Sequence, residues 1–227
     1  ICGDCFVSSD KGLLNQVKNV FRLKNGDKMS VLDNKGNEYT LKISKISDKI
    51  EAKIVFIKKH NIRKKTLNLF CSILKGDNFE LILKKCTELG FDNFQPVVFK
   101  HSIVKEISKN KRYRFEKILR ESSEQSMRSD IPVLSEVINF SQSLELLGGG
   151  LNLAMIQSSP DILINLNKKN IKQDRINLFI GPEGDFSKEE IELMKKNSFY
   201  FFSLGRNILR SETACIIASG IIYQIML

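Results

Sequence analysis

The sequence contains no tryptophan, two histidines and four prolines in 227 residues. No stretch reaches the ~18 uninterrupted apolar residues of a membrane-crossing helix, so no segment reads as one. The histidines have no paired spacing, and the five cysteines offer one close pair, Cys2 and Cys5. A zinc site would need two more ligands, and neither a second cysteine pair nor a histidine pair has the spacing to supply them. The pair therefore reads as incidental, with no metal expected. Cys71, Cys86 and Cys215 lie in apolar patterns and read as buried thiols. No secretory signal opens the chain, which starts on Ile1 rather than methionine. A few residues are expected to precede it, and the cytoplasm is the expected compartment.

What is abundant is positive charge. The formal net charge is +10 and the pI is near 9.3. That balance favours a polyanionic partner, nucleic acid first and an anionic membrane second, against the plainer alternative of a soluble basic protein. Hydrophobic residues make up 42%, enough for one large packed domain or two small ones.

Residues 178–214 organise the chain. Two apolar runs, Ile176 to Ile180 and Phe199 to Leu204, read as buried strands that each enter a glycine-containing loop and then a helix. Pro182 cannot continue a ladder, Ser187 with Glu190 forms a capping-box pattern, and Ser211 is a candidate N-cap. Two strand–loop–helix units in tandem place two loops on one edge of a parallel sheet, where open α/β sheets bind ligands. Gly181, Gly184 and Gly205 allow close backbone approach there. The order Gly-Pro-Glu-Gly matches neither a dinucleotide fingerprint nor a P-loop.

Residues 1 to 66 read as a small β-barrel. Asp33-Asn-Lys-Gly-Asn37 is a hairpin signal between Val31 and Tyr39. Tyr39, Leu41 and Ile43 alternate with polar residues, as do Ile50, Ala52, Ile54 and Phe56. Leu13 to Leu23 is helix-like, with Val17, Val20 and Phe21 on one face. Lys58 to Lys65 is a basic joint that either grips phosphates or is simply solvated. Residues 67 to 227 have a βαβ rhythm that implies a parallel sheet. Strands are expected at Leu67 to Leu74, Phe94 to Phe99 and Leu151 to Ile156. Asp77 with Glu80 reads as a capping box and Gly90 as the end of that helix. Ser158 to Asp161 starts a short helix, and Lys168 to Arg175 is a basic connector. The helix from Phe115 has an inward stripe that turns polar at Ser122, Gln125 and Ser126, either reaching a site or leaving the core. From Thr213 to Leu227 no residue is charged. Such a helix is buried on both sides, within the core or against a second subunit.

Two stretches carry a family resemblance. Gly181-Pro-Glu-Gly-Asp-Phe-Ser187 and Leu204-Gly-Arg-Asn-Ile-Leu-Arg-Ser-Glu-Thr-Ala214 resemble the cofactor-loop motifs of RsmE-type methyltransferases. These SPOUT-class enzymes methylate uridine N3 in small-subunit (16S) ribosomal RNA with S-adenosylmethionine. The likeness extends to Lys84–Gly90, to Glu124–Arg128 and, at Val20–Asp27, to the family's PUA-like N-terminal domain. It implies an α/β fold: a PUA-like β-barrel RNA-binding domain over residues 1–66, then a SPOUT methyltransferase domain with a trefoil knot over 67–227. It implies that Gly181, Pro182, Glu183, Gly184, Leu204, Gly205, Ile208, Leu209, Arg210, Thr213 and Ala214 hold the cofactor. Leu204, Ile208 and Leu209 would wall the adenine, and Thr213 and Ala214 would close the pocket. Arg210 would stabilise an oxyanion or hold phosphate. Glu212 or Glu183 would take the proton, unless Glu212 pairs with Arg210 or water takes it. Arg22 and Arg128 would position RNA. The resemblance also implies a homodimer through the last helix, a ribosomal RNA or small-subunit partner and no membrane. The family often has a histidine ahead of Arg22, where this chain has Asn15 and Gln16, and two residues inside the loop motifs also depart from the pattern. Asp185 stands where the family usually has glycine, and Asn207 where it often has arginine.

Overall fold

The structure, a computed structural model, describes residues 3–60, 65–166 and 171–226. The chain divides into two compact units between residues 62 and 63.

In the first unit, β1 (Cys5–Ser8), β2 (Lys28–Leu32), β3 (Asn37–Ile46) and β4 (Ile50–Lys59) form one antiparallel sheet in the order β1-β4-β3-β2. β1 and β2 are its edges, so the expected barrel strands are present without ladder closure between the first and last. Leu41, Ile43, Ile50 and Ala52 supply the buried face, as alternation requires. Phe56 departs from it and is 61% exposed. In the β2–β3 turn, the Asp33 carboxylate accepts from the backbone N–H of Lys35 and Asn37, the Asn37 amide and the Tyr39 hydroxyl. Partial burial opposes ionisation there, but these donors prevail and hold Asp33 at about 2. The helical stretch is broken differently from expectation. α1 (Lys11–Asn15) runs into a π-turn over Gln16–Val20, closed by Phe21 N–H on Gln16 O at 2.8 Å. That wider turn leaves Val17 buried while Val20 and Phe21 face outward.

The second unit is three-layered. β5 (Thr66–Cys71), β6 (Asn93–Val98), β7 (Val133–Leu134), β8 (Ile138–Asn139), β9 (Leu151–Met155), β10 (Arg175–Ile180) and β11 (Phe199–Phe202) form a seven-stranded sheet ordered β11-β9-β10-β5-β6-β7, with β8 also on β6. All its pairings are parallel. α2 (Asn78–Glu88), α3 (Lys109–Gln125) and α6 (Ser211–Met226) contribute to one core with Leu69, Leu153 and Leu178. α4 (Phe140–Glu145) and α5 (Lys188–Lys196) pack on the other, with Phe70, Ala154 and Phe179. Burial on both faces explains why these strands read as continuous apolar runs. Phe70 stacks on Phe179 with centroids 4.3 Å apart.

Register is fixed by an asparagine ladder. Asn93 donates to Asn68 at 2.6 Å, Asn68 to Asn177 at 2.8 Å, and Asn177 to Asn152 at 2.8 Å. These are the directly paired positions of β6, β5, β10 and β9. A one-residue slip would strand the buried amides without partners.

Helix ends explain several boundaries. The Ser187–Glu190 capping box forms with both of its hydrogen bonds. The Asp77–Glu80 box does not: Asp77 makes no side-chain cap, and Glu80 is drawn to Arg114 at 2.7 Å. Gly90 ends α2 as expected, at φ 83°, with Phe91 N–H on Cys86 O and Gly90 N–H on Thr87 O. Ser211 is the first residue inside α6 rather than its cap. Ser158 to Asp161 form no helix; a 3-10 turn follows at Leu163–Asn165. The thiols of Cys71, Cys86 and Cys215 are buried, and burial pushes Cys86 up to about 12. Cys5 is exposed; Cys2 lies outside the described residues. So do Asn61–Lys64 of the basic joint and Lys168–Asn170 of the connector. At the described end of that joint, His60 Nε2 meets Glu38 at 2.9 Å.

Candidate cofactor pocket and its loops

Three strands deliver their loops to the carboxyl edge of the second sheet, and a cavity of about 490 Å³ opens among them. Met155, Ile156 and Gln157 come from the end of β9. Ile180, Gly181, Pro182, Glu183 and Asp185 follow β10, and Leu204 and Ile208 to Glu212 follow β11. Asn78 and Ala214 complete the lining from α2 and α6.

Two glycines serve different needs. Gly205 has φ +126° with open space beside it, so conformation selects glycine there. Gly184 has no such φ, but a Cβ on it would meet His101 Cβ at 3.0 Å, so space selects it. Asp185 sits at φ 58°, the left-handed region that aspartate tolerates better than most residues. Its Oδ1 accepts from Phe186 N–H at 2.7 Å, and its own N–H closes the turn on Pro182 O at 3.0 Å. The second loop is tied by Gln157, whose Nε2 donates to the carbonyls of Gly205 and Arg206, each at 3.1 Å.

Nine expected residues line the cavity: Gly181, Pro182, Glu183, Leu204, Ile208, Leu209, Arg210, Glu212 and Ala214. Gly184 and Gly205 support the loops behind the lining. Thr213 does not close the pocket; the turn of α6 points it outward and exposes it. Glu212 is 8% exposed, and no side chain pairs with it among the described residues. Arg210 is exposed, so the two do not form the ion pair that was one expectation. Asn78, on α2, and Gln157 and His101, on two other loops, were missed, since no local pattern marks them.

The two arginines expected at RNA differ. Arg22 is exposed at φ 53°. Arg128 is turned inward. Its Nη1 donates to Thr87 O at 3.0 Å and Phe91 O at 2.7 Å, and its Nη2 meets Asp92 at 3.2 Å and Asp130 at 2.6 Å. Four of a guanidinium's five N–H donors are thus engaged within the protein, with the side chain 9% exposed. Arg128 braces the end of α2 and is not available to a phosphate.

A family model for the RNA methyltransferase domain matches residues 61–223, and one for the RNA methyltransferase PUA domain matches residues 17–57. A ribosomal RNA small subunit methyltransferase E of Synechocystis is 32% identical, covering 90% of this chain and 68% of its own length. The Bacillus subtilis protein of that name is 30% identical, with 93% and 87% covered. The chain belongs to this methyltransferase family. Among solved structures, the Neisseria gonorrhoeae ribosomal RNA small subunit methyltransferase E, bound to S-adenosyl methionine, superposes with a TM-score of 0.85. It is 25% identical, with 97% of this chain and 91% of that one covered. Membership accounts for both units, the first matching the PUA model and the second the methyltransferase model.

Proposed function

We propose that the protein methylates uridine N3 in small-subunit (16S) ribosomal RNA, with S-adenosylmethionine bound in the cavity of the second unit. The observation that supports this most is the chemistry of the lining. Leu204, Ile208, Leu209, Ile156 and Ala214 offer apolar surface for an adenine. Glu212 is nearly buried and has no side-chain partner among the described residues, a costly state for an anion unless a cation joins it. It stands in the first turn of α6. A cationic sulfonium and ammonium complement it, so the residues present fit this cofactor.

When bound, the cofactor supplies an electrophilic methyl group. The chain's residues orient it and manage charge. Glu212 is free to hold a cation or accept the N3 proton, with Glu183 the second carboxylate of the lining. Arg210, exposed and unpaired among the described residues, is placed to steady negative charge on the uracil carbonyls or hold a phosphate. In the first unit, taken as the RNA-binding domain, Arg22 is the free cation carried forward. It is exposed, on a backbone in the left-handed region at φ 53°. Domain limits of 1–66 and 67–227 and a trefoil knot in the C-terminal segment belong to the same reading, supported by family membership. So does a homodimer: α6 leaves Thr213 and Ile217 exposed along a side without charge, and Ile217 is 44% exposed. No helix among the described residues is long and apolar enough to cross a membrane, and the proposed site of action is the cytoplasm.

The Glu212→Gln variant tests the pocket by calorimetry. The expected result is at least about tenfold weaker binding of S-adenosylmethionine. The uncharged thioether S-adenosylhomocysteine should lose less. Equal affinities of variant and parent for S-adenosylmethionine would remove Glu212 from the site.

A further inference from the structure

The loop after β6 reaches across to the loop after β10, and no expectation from the sequence involved it. The His101 ring is the contact. Its Nδ1 lies 2.9 Å from Gly184 O and 3.0 Å from Asp185 O. Both neighbours are carbonyl oxygens, which only accept. Nδ1 therefore carries the proton in either charge state of the ring, and the neutral ring is the Nδ1–H tautomer. One donor thus ties two consecutive carbonyls of the turn that bears Pro182, Glu183 and Asp185, three lining residues of the cavity.

The fit is steric as well as polar. His101 Cβ occupies the space that a side chain on Gly184 would need. The segment carrying His101 is itself anchored. Phe99 N–H donates to Ser102 Oγ at 2.9 Å, and Ser102 Oγ meets Ser72 Oγ at 2.9 Å. Lys100 N–H donates to Glu190 Oε1 at 2.8 Å, while Glu190 Oε2 accepts from Ser187 N–H at 2.8 Å. Lys100 Nζ also meets Glu189 at 3.1 Å. The segment thus holds the Gly184–Ser187 stretch at both ends: His101 on the carbonyls at one, Glu190 bridging two backbones at the other. A loop held this way loses less freedom when a ligand settles on it.

We propose that His101 is a positioning residue for the cofactor pocket: its Nδ1–H fixes the Gly184 and Asp185 carbonyls and so presets the Gly181–Asp185 wall. The inference rests on the methyl-donor reading of the cavity. The test compares His101→Ala with His101→Asn, whose amide N–H lies near the position of Nδ1. Binding of S-adenosylmethionine is measured by calorimetry and stability by thermal unfolding. His101→Ala should bind about tenfold more weakly, and His101→Asn should return to within about twofold of the parent. Parent-like affinity in His101→Ala would overturn the proposal, and so would equal losses in both variants, which would leave only ring bulk at work. Nitrogen NMR of the parent gives a readout independent of ligand. At alkaline pH, where an imidazole is neutral, a protonated Nδ1 and a bare Nε2 are expected, and the opposite tautomer would overturn the proposal. Failure of the parent itself to bind S-adenosylmethionine would instead strike the reading of the cavity and take the inferred role with it.

Discussion

Arg22 and Arg128 look alike in the sequence, each a basic residue in a motif shared with the family, yet their surroundings separate them. Arg128 satisfies carbonyls and carboxylates that lie on α2, beyond α2 and beside itself, and only the fold assembles those partners. Removing it takes the donor from the Thr87 and Phe91 carbonyls and from two partly exposed aspartates. Arg128→Ala should cost about 1–3 kcal/mol in urea unfolding while leaving the salt dependence of RNA binding unchanged. Arg22→Ala should do the reverse, with stability kept and the salt slope reduced by about 1. An unchanged unfolding midpoint in Arg128→Ala would refute the bracing role. The cofactor loops were more legible because their residues are contiguous and their chemistry is local. Gly181, Leu204 and Arg210 line the cavity as expected, whereas Gln157 and His101 act from other loops and give no local signal.

At the scale of elements, the sequence is most readable where a helix end is closed by its own residues. The Ser187 box and the Gly90 stop are of this kind. The Asp77 box fails because Glu80 has a stronger partner in Arg114 on the facing helix, which nothing near Asp77 announces. The turn at Gln16–Val20 was misjudged because one extra residue in a helical turn rotates everything after it. α3 ends in the same manner as α2, with Arg128 N–H on Ser123 O and Met127 N–H on Glu124 O. There the left-handed position is Met127, at φ 56° and 73% exposed. Met127→Gly should therefore stabilise the protein by about 0.5–1 kcal/mol, read as a higher urea midpoint. A lower midpoint would mean that the methionine side chain contributes more than its backbone conformation costs.

For the whole molecule, alternation and βαβ rhythm gave the two units and the parallel sheet. Strand order lay beyond them, because β9 enters between β11 and β10 through contacts distant in the chain. The pattern of α6 left two partners open, and the fold narrows them: Ala218 and Ile222 are buried within the unit, while Ile217 faces out. Ile217→Asp should convert the proposed dimer to monomer in sedimentation at micromolar concentration. A parent that is itself monomeric would refute the dimer. The central claim concerns chemistry, and one measurement meets it most directly. Small ribosomal subunits lacking the modification are incubated with the protein and S-adenosylmethionine labelled in its methyl group, and the recovered RNA is digested to nucleosides. The account expects the label in 3-methyluridine, with the rate falling at least about a hundredfold in Arg210→Ala. Label in a different nucleoside, or none from a protein that binds the cofactor, would contradict it.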